Sequence, residues 1–132
     1  MCGIAGICGF RSGWESDIRR MNDRMRHRGP DASGVWADEE GEVVLGHQRL
    51  SIVDLTPSGS QPMVSHSGRY VMAFNGEIYN YRELKKQLLE EEKVERFRGT
   101  SDTEVLLEAM ECYGVKEAIG RCKGMFAIAL YD

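Results

Sequence analysis

A cysteine at position 2 is the residue of this chain best placed for covalent chemistry. The sequence opens Met1-Cys2-Gly3-Ile4-Ala5-Gly6, and a small residue at position 2 permits removal of the initiator methionine. Cys2 would then carry a thiol and a free α-amine on one residue. An α-amino group titrates at about 7.7–8.0, so near neutral pH part of it is unprotonated and can take the thiol proton. Pairing a nucleophile with an N-terminal amine is a known form of covalent catalysis. A second reading stands beside it: Cys2 enters a buried strand, as free cysteines often do. On position alone the second reading is the simpler.

Other polar residues carry similar double readings. Arg49 falls at a strand end, where a surface arginine is unremarkable; its guanidinium fork also matches a carboxylate. Asn75-Gly76 is the strongest short hairpin signal, and a tight turn is also a rigid donor platform. Asp102 follows Ser101 in the pattern Ser-x-x-Glu, where an acid is favoured by the helix dipole without any ligand. His27, His47 and His66 have no spacing that suggests a triad or a metal site. Cys8, Cys112 and Cys122 read as core or near-surface thiols, and no cysteine pair has CxxC spacing. Reduced thiols in a cytoplasmic protein are the expectation.

The elements that must position these residues alternate irregularly. Residues 3–10 read as a Gly-rich buried strand, and 15–27 as an amphipathic helix with Ile18, Met21 and Met25 as its stripe. Strands follow at 34–37 and 43–50, joined by an acidic hairpin turn. Residues 54–68 are rich in Pro, Ser and Gly and read as a long functional loop. Strands at 70–74 and 78–79 flank the Asn75-Gly76 turn. Asn80 and Glu83 suggest a capping pair for a helix with Leu84 and Leu88. A helix from Ser101, a short helix at 115–122 and an apolar strand at 125–131 complete the pattern. Mixed order without βαβ repetition predicts layered α/β or α+β with largely antiparallel sheets.

Composition narrows the function. With 132 residues and 42% hydrophobic content the chain fits one globular domain. A net charge of −4 argues against nucleic acid or an anionic membrane as the main partner. The basic cluster Arg19, Arg20, Arg24, Arg26, His27 and Arg28 is interrupted by acids and reads as a solvated face. The start lacks a signal-peptide pattern and no apolar run approaches the ~18 residues of a membrane span. An apolar strand directly before Asp132 suggests a fragment with an exposed sheet edge, which predicts dimerisation or aggregation there.

Six segments in one order carry a family resemblance: MCGIAG at 1–6, RHRGPD at 26–31, LGHQRLSIVDL at 45–55, FNGEIYNYRELK at 74–85, GTSDTEVLL at 99–107 and GMFAIALYD at 124–132. Together they resemble the glutamine amidotransferase domain of glutamine-hydrolysing asparagine synthetases, which are class II, N-terminal-nucleophile enzymes. The resemblance implies an α+β fold, a four-layer α/β/β/α sandwich of antiparallel sheets, truncated at its C-terminus. It implies hydrolysis of glutamine to glutamate and ammonia, with Cys2 as nucleophile through a thioester. Asn75 and Gly76 would form the oxyanion hole, Arg49 would hold the substrate α-carboxylate and Asp102 the α-ammonium, and Glu77 would line the same pocket. Leu50, Ser51, Ile52 and Val53 would supply backbone contacts to glutamine. No metal or cofactor is implied in this domain. ATP and Mg²⁺ would serve a downstream synthetase domain of the same polypeptide that amidates aspartate. Related enzymes amidate other acids, including sugars, and some such folds survive as non-catalytic modules.

Overall fold

A computed structural model describes residues 2–9, 12–38, 40–51 and 56–132. β1 (Gly3–Cys8), β2 (Ala32–Asp38) and β3 (Val43–Arg49) pair antiparallel in the order β1-β3-β2. β3 is buried on both faces because each face has a cover. Val44 packs with Ala5 and with Ile18 of α1 (Trp14–Arg24). His47, of opposite strand parity, reaches the second sheet. Gly46 lets α1 approach: a Cβ there would stand 2.5 Å from Asn22 Oδ1 and 2.9 Å from Ile18 Cδ1.

The helix is shorter than 15–27, and its stripe differs from the expected one. Ile18 is buried and Met25, just past the helix end, is half-buried, but Met21 is 39% exposed. Asn22, one turn beyond Ile18, is the inward residue. Its Nδ2 donates to Ser33 Oγ (3.2 Å) and to the Gly34 carbonyl (3.1 Å). These bonds satisfy the buried Nδ2, while Oδ1 is buried without a partner among the described residues, and a hydrophobic count misses such a residue.

The second sheet contains β4 (Met63–Val64), β5 (Val71–Ile78) and β6 (Gly124–Tyr131), antiparallel in the order β4-β5-β6. The stretch expected as a loop therefore holds a strand, together with a single 3-10 turn at Pro57–Gly59. The expected hairpin at Asn75-Gly76 does not form. β5 runs straight through both residues, and β6 pairs them with Ala127 and Phe126. A partner strand on that side outweighs the local turn preference. Gly76 serves close approach instead, since a Cβ there would stand 2.3 Å from the Met125 carbonyl oxygen.

α2 (Tyr81–Glu90), α3 (Asp102–Tyr113) and α4 (Val115–Arg121) complete the described elements. α3 packs on β5, α2 and α4, and is buried at every residue from Asp102 to Met110. Ser101 caps it: its Oγ accepts the Glu104 N–H at 3.2 Å. The Glu104 carboxylate takes the N–H groups of Arg98 (2.7 Å) and Gly99 (2.8 Å), tying α3 to the loop before it. Asn80 precedes α2 without capping it. Its Nδ2 donates to the Arg121 carbonyl (3.0 Å) and its Oδ1 accepts the Lys123 N–H (2.7 Å), joining α2 to the start of β6.

The architecture is α+β with antiparallel sheets, and β5 contacts β1 and β3 of the first sheet. Among the described residues no helix is long and apolar enough to cross a membrane.

Candidate active site

Cys2 directly precedes β1, Arg49 ends β3 and Leu50 follows it, so the antiparallel register brings Cys2 beside Leu50, 48 positions away. The half-buried Cys2 Sγ accepts the Leu50 N–H at 3.4 Å and lies 3.7 Å from the Leu50 carbonyl oxygen. The Cys2 carbonyl accepts Arg28 Nε at 3.0 Å, which gives one member of the basic cluster a structural role. Arg49 is buried, with Nη1 donating to the Thr56 carbonyl at 2.9 Å. The Ser51 N–H donates to Asp31 Oδ2 at 2.7 Å.

These residues meet β5 and the start of α3 around one cavity of about 140 Å³, roughly ten times the room one water needs. Cys2, Arg49, Leu50, Asn75, Gly76, Glu77 and Asp102 all line it. Ser51 does not, and Ile52 and Val53 lie outside the described residues, as does Met1. The wall also includes Gly59, Gln61, Phe74, Ser101, Thr103 and Met125. The sequence flagged the loop holding Gly59 and Gln61 but neither residue. Ser101 and Thr103 read only as parts of a helix start, and Phe74 and Met125 as strand residues.

The charges of the wall are divided. Arg49 supplies a cation from β3. Asp102, from α3, is buried, and its Oδ2 accepts the Ile78 N–H at 2.9 Å. Burial pushes the Asp102 carboxyl above the usual carboxylate range. Backbone N–H groups of Ile78, Thr103 and Asp102 itself work against that rise, and the neighbouring Glu77 adds to it. Such a carboxylate gains from an arriving cation. Asn75 is half-buried on β5, and its Oδ1 is buried without a hydrogen-bond partner among the described residues. Unmatched polar atoms of this kind are rare in folded proteins and suit a site that a ligand completes.

His47 stands behind the wall. It is fully buried, with Nε2 donating to the Phe74 carbonyl at 3.0 Å and Nδ1 without a partner among the described residues. Burial lowers its pKa to about 4, the Phe74 carbonyl opposes the drop, and Arg49 reinforces it. His47 is therefore a neutral imidazole at physiological pH. Among the described residues no group of three His, Cys, Asp or Glu could hold a metal ion, and all four cysteines are free thiols.

Residues 1–132 match the family profile of the glutamine amidotransferase domain over their whole length. The chain belongs to this family. Curated relatives of this amidotransferase domain include asparagine synthetase [glutamine-hydrolyzing] 2 of Oryza sativa subsp. japonica, 42% identical over 135 residues. That alignment covers 100% of this chain and 22% of the relative. Asparagine synthetase B [glutamine-hydrolyzing] of Escherichia coli is 38% identical over 136 residues, covering 100% of this chain and 23% of the relative. The Amidase chry2 of Gibberella zeae is 44% identical over 116 residues, 88% of this chain and 17% of that protein. The chain thus spans about a fifth of the length of the curated relatives it matches.

Proposed function

We propose that this amidotransferase domain is the glutaminase part of a glutamine-hydrolysing asparagine synthetase, and that its fold is the four-layer sandwich of N-terminal-nucleophile hydrolases. The observation that carries the reading is the meeting of Cys2, Arg49, Asn75 and Asp102, spread over a hundred positions of sequence, on one cavity wall. The layering is supported by α1 against β1 and β3, β5 against the same two strands, and α3 against β5.

In this mechanism Met1 is removed and the Cys2 amine takes the thiol proton. The thiolate attacks the side-chain amide carbon of glutamine. Negative charge moves onto the amide oxygen, where the Asn75 side-chain amide and the Gly76 N–H receive it. Preorganised donors of this type are worth about 10²–10³ in rate each. The amine returns its proton to the leaving nitrogen, the carbon–nitrogen bond breaks and ammonia departs. Water then hydrolyses the γ-glutamyl thioester, releasing glutamate and restoring the thiol. Arg49 faces the substrate α-carboxylate and Asp102 the α-ammonium, with Glu77 on the same wall. Leu50 lines the cavity, and the family resemblance would have the stretch from Leu50 to Val53 supply backbone contacts to glutamine. Carboxylate and ammonium need opposite partners, and the divided charge of the wall supplies them.

Ammonia would pass to a synthetase domain elsewhere in the same polypeptide, in the cytoplasm, which would use ATP and Mg²⁺ to amidate aspartate. No residue set described in this chain fits ATP or Mg²⁺: there is no glycine-rich phosphate loop and no cluster of three ligands among the described residues. The relatives named as asparagine synthetases favour aspartate as acceptor over a sugar acid, and they favour activity over a non-catalytic module.

Intact mass after exposure to 6-diazo-5-oxo-norleucine, an electrophilic glutamine mimic, tests the reading. The expected product lacks Met1 and carries one adduct, mapped to Cys2 and missing from Cys2→Ala. A processed, folded protein that stays unlabelled would sink the proposal.

A further inference from the structure

β5 carries Asn75 and Gly76, yet it is supported unevenly. β6 accompanies it from Val71 to Ile78, whereas β4 pairs only with Val71 and Met72. At Phe74, immediately before Asn75, two side chains stand where a strand would continue. Gln61 Oε1 accepts the Phe74 N–H at 2.6 Å, and His47 Nε2 donates to the Phe74 carbonyl at 3.0 Å. That carbonyl belongs to the peptide joining Phe74 to Asn75, so His47 fixes the plane from which Asn75 departs.

Both side chains are themselves held. Gln61 Nε2 donates to Thr103 Oγ1 at 3.4 Å, next to Asp102 on α3. The Gln61 backbone lies against Gly34, where a Cβ would stand 1.8 Å from the Gln61 carbonyl oxygen. His47 sits fully buried in β3, paired with Gly34 and Ile4, two residues before Arg49. The first sheet, the second sheet and α3 are thereby joined at one residue. A side-chain amide aimed at a developing charge must be set to within tenths of an ångström, and a misplacement of about 1 Å can cost 10²-fold.

We propose that Gln61 and His47 are positioning residues for Asn75, which clamp both backbone groups of Phe74 and so aim the Asn75 amide into the cavity that Cys2 lines. The inference rests on the glutaminase reading for its catalytic meaning, and on geometry alone for the placement of Asn75.

The test compares Gln61→Met, which keeps length but loses the acceptor, with Gln61→Glu, which keeps an acceptor oxygen for Phe74, in the full chain. For glutamine hydrolysis Gln61→Met is expected to lower kcat about tenfold to a hundredfold with KM near wild type, and Gln61→Glu to recover most of the loss. An unchanged kcat in Gln61→Met overturns the proposal. So does a parallel loss of kcat, KM and melting temperature in both variants, which would mark a purely structural role. The ¹⁵N–¹H resonances of the Asn75 side chain give a second readout that needs no turnover. They should shift in Gln61→Met and return in Gln61→Glu, and resonances that do not move overturn the clamp. A wild-type protein without glutaminase activity would count against the glutaminase reading, and the resonances would still decide the clamp.

Discussion

Around the second sheet, Met72, Phe74 and Ile78 of β5 pack with Leu84 and Leu88 of α2 and with Leu106, Leu107 and Met110 of α3 in one continuous apolar cluster. Under α1, the buried apolar cluster is Ala5, Ile18 and Val44, flanked by the partly buried Ile7, Trp14, Met25 and Ala37, with Gly46 and Asn22 also in the contact. The cavity lies where the two halves meet. Asn75 and Asp102 stand on the densely packed half, and Cys2 and Arg49 on the sparse one. Links across the junction include two hydrogen bonds, His47 to the Phe74 carbonyl and the Tyr131 hydroxyl to the Asp38 carboxylate, beside a tilted ring contact of Trp36 with Tyr131 at 5.1 Å. The buried His47 bond contributes only about 0.5–1.5 kcal/mol net, but a hydrogen bond is directional where apolar contact is not. The dense half thus sets where the donors stand, and the polar links set how the nucleophile half meets them.

Separating function from packing within the dense half should give the largest effect. Asn75→Ala removes a donor from a strand whose core contacts are made by other residues. Steady-state kinetics are expected to show kcat for glutamine hydrolysis lowered about 10²–10³-fold with little change in KM, at a melting temperature near wild type. On the sparse half, Arg49→Lys should chiefly raise KM for glutamine, because a lysine cannot grip a carboxylate bidentately. The reverse split, with Asn75 acting on KM and Arg49 on kcat, would mean that the two halves have been assigned the wrong tasks.

Cavity-forming substitutions measure the packing contrast itself. Leu106 and Ile18 are both fully buried. Leu106→Ala opens a hole in the large cluster and is expected near the upper end of the roughly 2–5 kcal/mol range for such truncations. Ile18→Ala, with fewer apolar neighbours to lose, is expected near the lower end. Urea unfolding at neutral pH provides the comparison. Equal losses would show that α1 is held as firmly as α3.

The same contrast governs what could be read from the sequence. The dense half was legible where period and composition agreed: Ser101 caps α3, and Val105, Leu106, Ala109 and Met110 face the core as their spacing predicts. It was illegible where a distant partner decided the outcome. Asn75-Gly76 carries a strong turn signal, and only β6, some fifty residues on, makes it a strand. In the sparse half, Asn22 replaced Met21 because hydrogen bonds to Ser33 and Gly34 make a buried amide acceptable, and no hydrophobic pattern encodes that. The residues expected at the site were named through a family resemblance rather than through spacing, and seven of them do line one cavity. Gln61 and His47 went unassigned because their role lies in a backbone contact to Phe74, which only the folded chain reveals.

The polar junction should also betray itself as a pH dependence, the smallest of these effects. His47 is neutral in the fold, with its pKa lowered from 6.5 to about 4, mainly by burial and further by Arg49. An unfolded chain protonates this imidazole below its ordinary pKa and the folded chain does not, so the unfolded state binds more protons between about 6.5 and 4. Stability from this group is therefore complete above 6.5, is lost as pH falls through that window, and stops falling below about 4. Between pH 7 and pH 5 the loss amounts to about 2 kcal/mol. Asp102 works in the opposite sense, because a carboxyl raised by burial binds its proton more readily in the fold, and Asp38, lowered by Tyr131, works in the same sense as His47. A comparison of wild type with His47→Gln, whose amide can still donate to the Phe74 carbonyl but does not titrate, isolates the one group. Urea unfolding at pH 7 and pH 5 should show a steeper fall for wild type by that amount. Identical slopes would mean that water or a relaxed packing accepts the imidazolium, and that the junction between the halves is looser than its hydrogen bonds imply.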